Sequence, residues 1–143
     1  MKSKIFSKFK NVISVFLLSL FIVSSFSVSA YADTGQKFYA KIKTGTAGYG
    51  VVDGSYNDRY YHLTPGRVGL EVKSVTPGGE FEVYLYKDGW EIDRCVEITS
   101  PTWRRFYDIP EDSSDYYLKV AVKGASKRTY IISGLIHDHG DPE

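Results

Sequence analysis

Cysteine is nearly missing from this 143-residue sequence, which contains one, Cys95. Small exported domains stapled by disulfides carry an even set, so this chain must be held together by its core. Cys95 stands between Arg94 and Val96 in a strand-like stretch, where the plain reading is a small buried hydrophobe. A thiol nucleophile needs a base beside it, and only His62, His137 and His139 are available. No G-x-S-x-G nucleophile elbow occurs. The glycine string from Gly45 to Gly50 lacks the Lys-Ser/Thr and the helix of a phosphate loop, so it reads as a connector. No stretch beyond residue 32 carries a helical 3.6-residue stripe. An enzyme is therefore not expected, and no cofactor is called for.

The first ten residues contain Lys2, Lys4, Lys8 and Lys10 and no acid, and Asn11 to Val28 is free of charge. Small residues follow, and Ala30-Tyr31-Ala32 matches the A-x-A pattern of a signal-peptidase site. Residues 1–32 thus read as a secretory signal peptide, cut after Ala32 or at the alternative Ala30. The competing reading is a membrane anchor, since about 18 apolar residues just span a bilayer. Six serines dilute the run, and no cysteine directly follows it, which excludes a lipid-modified anchor. The long lysine-rich head resembles signal peptides of Gram-positive bacteria. The expected product is secreted and keeps no stable membrane anchor.

Cleavage at Ala32 leaves 111 residues, one domain's worth, with 14 basic against 17 acidic side chains. A net charge of −3 offers nothing to nucleic acid or anionic lipid. The expected organisation is one β-sandwich domain over 33–136 and a flexible tail over 137–143.

Two-residue alternation runs through most of that domain. Phe38, Ala40 and Ile42 alternate with Tyr39, Lys41 and Lys43, and Val68, Leu70 and Val72 with Gly69, Glu71 and Lys73. Phe81, Val83 and Leu85 face one way while Glu82, Tyr84 and Tyr86 face the other. Lys87-Asp88-Gly89 reads as a hairpin turn. Ile92, Val96 and Ile98 are the expected core residues of the next strand, and Trp103 to Ile109 forms another. Tyr116, Leu118, Val120 and Val122 alternate with Tyr117, Lys119, Ala121 and Lys123. Short strands at 59–63 and 128–136 bring the expected number to about eight. Their spacing predicts an all-β, antiparallel, jelly-roll-like sandwich.

Several pieces between Arg59 and Gly134 resemble the bacterial pre-peptidase C-terminal domain. They are Arg59-Tyr60-Tyr61-His62-Leu63-Thr64-Pro65-Gly66, the strand from Val68 to Val75, Phe81 to Gly89, and Ser114-Asp115-Tyr116-Tyr117-Leu118-Lys119-Val120. The resemblance spans about three-quarters of the chain after residue 32. It implies a small β-sandwich used for adhesion or targeting rather than catalysis. Asp115 stands where that family has glycine before its paired tyrosines, and no protease domain precedes the matching region. The calcium site of related collagen-binding domains has no counterpart in Asp33 to Gly50, so calcium is not carried over.

Eleven tyrosines, three phenylalanines and two tryptophans remain after residue 32. Tyr39, Tyr84, Tyr86 and Tyr117 fall on polar faces, where they serve either as cross-strand pairs or as a contact surface. Trp103, Arg105 and Tyr107 share one strand face. Outside, that row would stack on sugars or clamp an acidic partner; turned inward, Trp103 or Phe106 would join the core. Tyr84, Tyr86, Trp103, Arg105, Tyr107 and Tyr117 are therefore the candidate binding residues.

Other constellations are weaker. His137-Asp138-His139 has chelating chemistry, but it needs a third ligand such as His62 and lies at a chain end. Glu80, Glu82, Glu91, Asp93 and Glu97 would suit glycoside hydrolysis only if two of them faced across a cleft. The expected function is a secreted, non-catalytic module binding the cell surface, an extracellular polymer or another exported protein. The alternatives are a secreted antagonist (a protease inhibitor or antibacterial toxin) and a small metal-dependent hydrolase built on His62, His137 and His139.

N-terminal sequencing of protein recovered from culture medium should begin at Asp33, or at Tyr31 for the alternative cut. Protein confined to the membrane fraction and still starting at Met1 would mean that residues 11–28 serve as an anchor.

Overall fold

Alternating apolar and polar residues give a strand one face to bury, and two such faces must close on each other. In the computed structural model, which describes residues 35–139, that closure produces nine strands. They are β1 (Gln36–Lys43), β2 (Tyr49–Asp53), β3 (Tyr60–Leu63), β4 (Gly66–Val75), β5 (Glu80–Lys87), β6 (Trp90–Ile98), β7 (Thr102–Ile109), β8 (Ser113–Lys123) and β9 (Thr129–Asp138). The expected signal peptide lies outside the described residues, as do Gly140 to Glu143. Among the described residues no helix is long and apolar enough to cross a membrane.

One sheet has the order β1-β9-β4-β7, the other β2-β8-β5-β6, with β3 also paired to β8. All pairings are antiparallel. The partners are nested: β5 with β6, β4 with β7 around them, then β2 with β8, and β1 with β9. A long hairpin rolled into two facing sheets in this way is a jelly roll. The all-β sandwich read from the sequence is the observed fold.

The inward stripes are those that alternation indicates. Phe38, Ile42, Leu70, Phe81, Val83, Leu85, Leu118, Val120 and Ile132 are all buried between the sheets. Each such side chain contributes roughly 1.5–3 kcal/mol when fully buried. Two tyrosines join this layer with their hydroxyls satisfied. Tyr116 donates to the Glu111 carbonyl at 2.8 Å, and the Tyr130 hydroxyl accepts from the Ala125 amide at 2.6 Å. Between β5 and β6, Asp88 (φ 50°) and Gly89 (φ 81°) supply the two positive φ values that a type I′ hairpin turn requires.

Three expectations need correction. The expected connector over Gly45 to Gly50 stops early, because Tyr49–Asp53 forms β2 against Lys119–Lys123. Tyr-Gly-Val-Val-Asp shows no alternation, so only the neighbouring strand reveals it. Val96, expected in the core, is 43% exposed, whereas Cys95 and Ile98 are buried. The cause is a bulge: Phe81 pairs with Ile98 and Val83 with Cys95, so Val96 and Glu97 together face one residue of β5. Glu97 takes φ 55° there, and the alternation changes phase. Finally, β9 runs to Asp138, so His137 and Asp138 belong to a strand rather than to a free tail.

The sheet edges are closed by side chains. The Gln36 carboxamide of β1 donates to the His62 carbonyl at 2.7 Å and accepts from its amide at 3.0 Å, imitating a strand pairing with β3. At the opposite edge the Asp93 carboxylate of β6 accepts from the Tyr107 amide of β7 at 2.7 Å. Such covering is how sheet proteins prevent edge-to-edge association.

Gly134 marks the tightest approach inside the first sheet. A Cβ there would lie 1.8 Å from the Glu71 carbonyl oxygen and 2.8 Å from the Phe38 ring. Gly134→Ala should therefore cost about 3 kcal/mol, the upper range for overpacking. Gly45→Ala, whose Cβ meets nothing closer than 3.7 Å, should change stability by less than about 1 kcal/mol. Urea unfolding followed by far-UV circular dichroism checks both, and equal midpoints for the two variants would contradict the packing.

Candidate functional site

The outer faces of the two sheets hold the six candidate residues, three on each. Trp103, Arg105 and Tyr107 lie on β7, on the outside of the first sheet, because Phe106 takes the inward position. Tyr84 and Tyr86 of β5 and Tyr117 of β8 lie on the outside of the second sheet. The sandwich separates the two trios, so they do not form one site.

The first-sheet trio is largely occupied by its own neighbours. The Trp103 ring packs on His137 with centroids 4.8 Å apart and planes 31° from parallel. The Trp103 Nε1 is buried and finds no hydrogen-bond partner among the described residues. His137 Nε2 lies 2.9 Å from a Glu71 oxygen. That hydrogen bond holds the Glu71 carboxyl below its usual range, with Lys73 adding to the effect. Arg105 is half-buried, and Tyr107 is exposed with the Arg67 guanidinium 6.0 Å from its ring centroid.

The second sheet carries a row of three tyrosines that crosses three adjacent strands. Tyr60 of β3 pairs with Tyr117 of β8, which pairs with Tyr86 of β5. Tyr86 stacks on Tyr117 at 5.6 Å and 25°, and Tyr60 meets Tyr117 edge-on at 6.0 Å. Tyr117 is only 9% exposed, so it supports the row from beneath and is not itself a surface contact. Lys119 Nζ lies 5.5 Å from the Tyr86 ring centroid, within cation–π range. Tyr84 is set by ionic neighbours. Its hydroxyl donates to Glu82, which pushes the phenol up to about 12, with burial a smaller cause. The Arg94 guanidinium lies 6.0 Å from the Tyr84 ring centroid. Tyr60 is not among the six candidate residues, yet alternation within Tyr60–Leu63 puts it outside and Tyr61 inside.

Where the sheets part, between β1 and β3, an open depression of about 330 Å³ is lined by Lys37, Tyr39, Asp58, Arg59, Tyr60 and Tyr61. Arg59 donates to the Tyr39 carbonyl, and its guanidinium lies 6.0 Å from the Tyr39 ring centroid. Asp58 is fixed in the left-handed region (φ 51°) as the chain leaves the 3-10 turn at Gly54–Asn57. The depression touches the tyrosine row through Tyr60.

The remaining chemical candidates are dispersed. His62 hydrogen-bonds Ser114 at 3.0 Å and faces Asp112 at 3.4 Å. The Asp138 carboxylate accepts from the Thr64 amide at 2.9 Å, and His139 hydrogen-bonds the Thr64 hydroxyl. Among the described residues no three His, Cys, Asp or Glu side chains converge as metal ligands. Glu82 is engaged by Tyr84 and Lys123, Glu91 by Arg94, and Asp93 by backbone amides. These carboxylates serve the surface of the second sheet and the β6–β7 edge.

Cys95 is a core residue whose sulfur lies 3.5 Å from the Arg105 carbonyl oxygen. Burial pushes its thiol up to about 12, with Asp93 adding and Arg104 opposing. Burial likewise pushes the Tyr61 phenol up to about 12, against the pull of Arg59. Both groups ordinarily ionise near 8.5 and 10 when unfolded, so the folded state holds more protons across that interval. Stability is then full below about pH 8.5 and falls as pH rises toward about 12. Chemical unfolding at pH 8, 9.5 and 11 should show a declining midpoint, with a shallower decline in Cys95→Ala. A midpoint independent of pH would mean that neither group is shielded. No protein-family model and no curated protein matches this chain.

Proposed function

We propose that this protein is a secreted, non-catalytic module that binds an extracellular polymer through the tyrosine-bearing face of its second sheet. The observation that carries this reading is the Tyr60–Tyr117–Tyr86 row with Lys119 alongside. Aromatic rings held by cross-strand packing offer contact area at low entropic cost, and a row of rings across several strands suits an extended ligand better than a small molecule. The leader-like first 32 residues support export. The resemblance to pre-peptidase C-terminal domains points toward the same adhesive role. The best-placed acids and histidines are tied to neighbouring side chains or backbone rather than aimed into a shared cleft.

Co-sedimentation with purified cell wall and with insoluble polysaccharides tests the reading. Tyr60→Ala and Tyr86→Ala should each weaken retention by about tenfold, the loss of 1–2 kcal/mol typical of an aromatic anchor, with the circular dichroism spectrum unchanged. Trp103→Ala, on the opposite face, should lose far less. Retention unaltered in both tyrosine variants would remove the second sheet as the binding face.

A further inference from the structure

The depression between β1 and β3 has a composition that selects among polymers. Tyr39 and Tyr60 are each 46% exposed, so ring surface is open on both sides of it. Lys37 and Arg59 are exposed, and neither has a carboxylate within ion-pair distance among the described residues. The Arg59 fork is already aimed, since one nitrogen donates to the Tyr39 carbonyl and the guanidinium lies over the Tyr39 ring. A guanidinium fixed in this way keeps further N–H donors for a second acceptor and suits a carboxylate. Asp58, fixed at the same opening, accepts hydrogen bonds and offers none when ionised.

Two exposed cations, one acceptor carboxylate and two half-exposed rings do not match a neutral, purely apolar ligand. Nor do they match a polyanion without hydroxyl groups, which would offer the Asp58 carboxylate no donor. They match a molecule that carries a negative charge, several hydroxyl groups and a C–H face broad enough to lie on a phenol. That description is an acidic sugar. Its charged group meets Arg59 and Lys37, its hydroxyls reach Asp58, and its ring lies against Tyr39 or Tyr60. The next unit of a chain would then cross the sheet along Tyr60–Tyr117–Tyr86, two strand spacings or about 10 Å wide, with Lys119 beside it.

We propose that the β1–β3 seam binds an anionic sugar unit of an extracellular polysaccharide through Arg59, Lys37 and Asp58. This assignment rests on the polymer-binding reading above and specifies the ligand class.

Calorimetric titration of the exported protein with oligogalacturonate, neutral galacto-oligosaccharide and polyglutamate tests it. Oligogalacturonate should bind at least about tenfold more tightly than the neutral oligomer at low salt. The difference should shrink at about 1 M salt, where charges are screened beyond roughly 3 Å. Lys37→Gln and Arg59→Gln should each reduce the acidic preference several-fold. Lys37 is exposed and makes no ion pair among the described residues, so its variant reads the charge with little effect on the core. Equal binding of acidic and neutral oligomers, binding of neither, or a preference untouched by both variants would overturn the assignment. Polyglutamate bound as tightly as oligogalacturonate would also overturn it, in favour of an acidic polypeptide. If Tyr60→Ala and Tyr86→Ala still weaken retention on polymer about tenfold while the acidic preference is absent, the broader reading stands and the sugar-acid assignment alone fails.

Discussion

The structure depends on a single layer of side chains shared by two sheets. Every inward residue must find its partner on the opposite sheet, because a one-layer core has no second shell to fill a gap. The nested pairing follows from this need. Strand β9 must return beside β1, some ninety residues earlier, before the first sheet can cover the second. Contacts of that separation make the core cooperative and slow to assemble, since loop closure precedes the gain from burial. With its one cysteine buried as an ordinary core side chain, the domain has no covalent staple to relieve that demand.

The same constraint decides which side chains are left on the outer faces. Once the aliphatic stripes are committed inward, the alternate residues are necessarily outside, and here many of them are tyrosines. Some of these are then used by the sheet itself: Tyr117 lies beneath its neighbours, and Tyr84 is tied to Glu82. On the other sheet Trp103 is occupied by His137, and His137 by Glu71. The outer faces are thus unequal. The second sheet leaves Tyr60 exposed and Tyr86 half-buried, and Tyr60 borders the seam beside β1.

Edge closure adds the final condition. Gln36 and Arg59 cover the backbone of β1 and β3 where an open edge would invite a second chain. The seam remains concave because these side chains bridge it at points instead of zipping it shut. Its polar lining follows from guarding an edge.

Much of this was readable from the sequence, for a definite reason. A period of two is a property of neighbouring residues, so Phe38/Ala40/Ile42, Phe81/Val83/Leu85 and Tyr116/Leu118/Val120/Val122 announced their buried faces directly. The Asp88-Gly89 turn was equally local, since positive φ is a matter of residue type. Strand β2, the exposure of Val96 and the ordering of His137 were not local. Each depends on a partner strand: β8 for Tyr49–Asp53, β5 for the bulge at Glu97, and β4 with Trp103 for His137. Alternation puts Tyr84, Tyr86 and Tyr117 on an outer face, but it carries no information about which sheet a strand joins. Chain chemistry alone determined an all-β domain with aromatic outer surfaces. Tertiary structure alone decided that Trp103 and Tyr86 stand on opposite sides, because strand order is set by long-range closure of the core and not by any neighbouring residue.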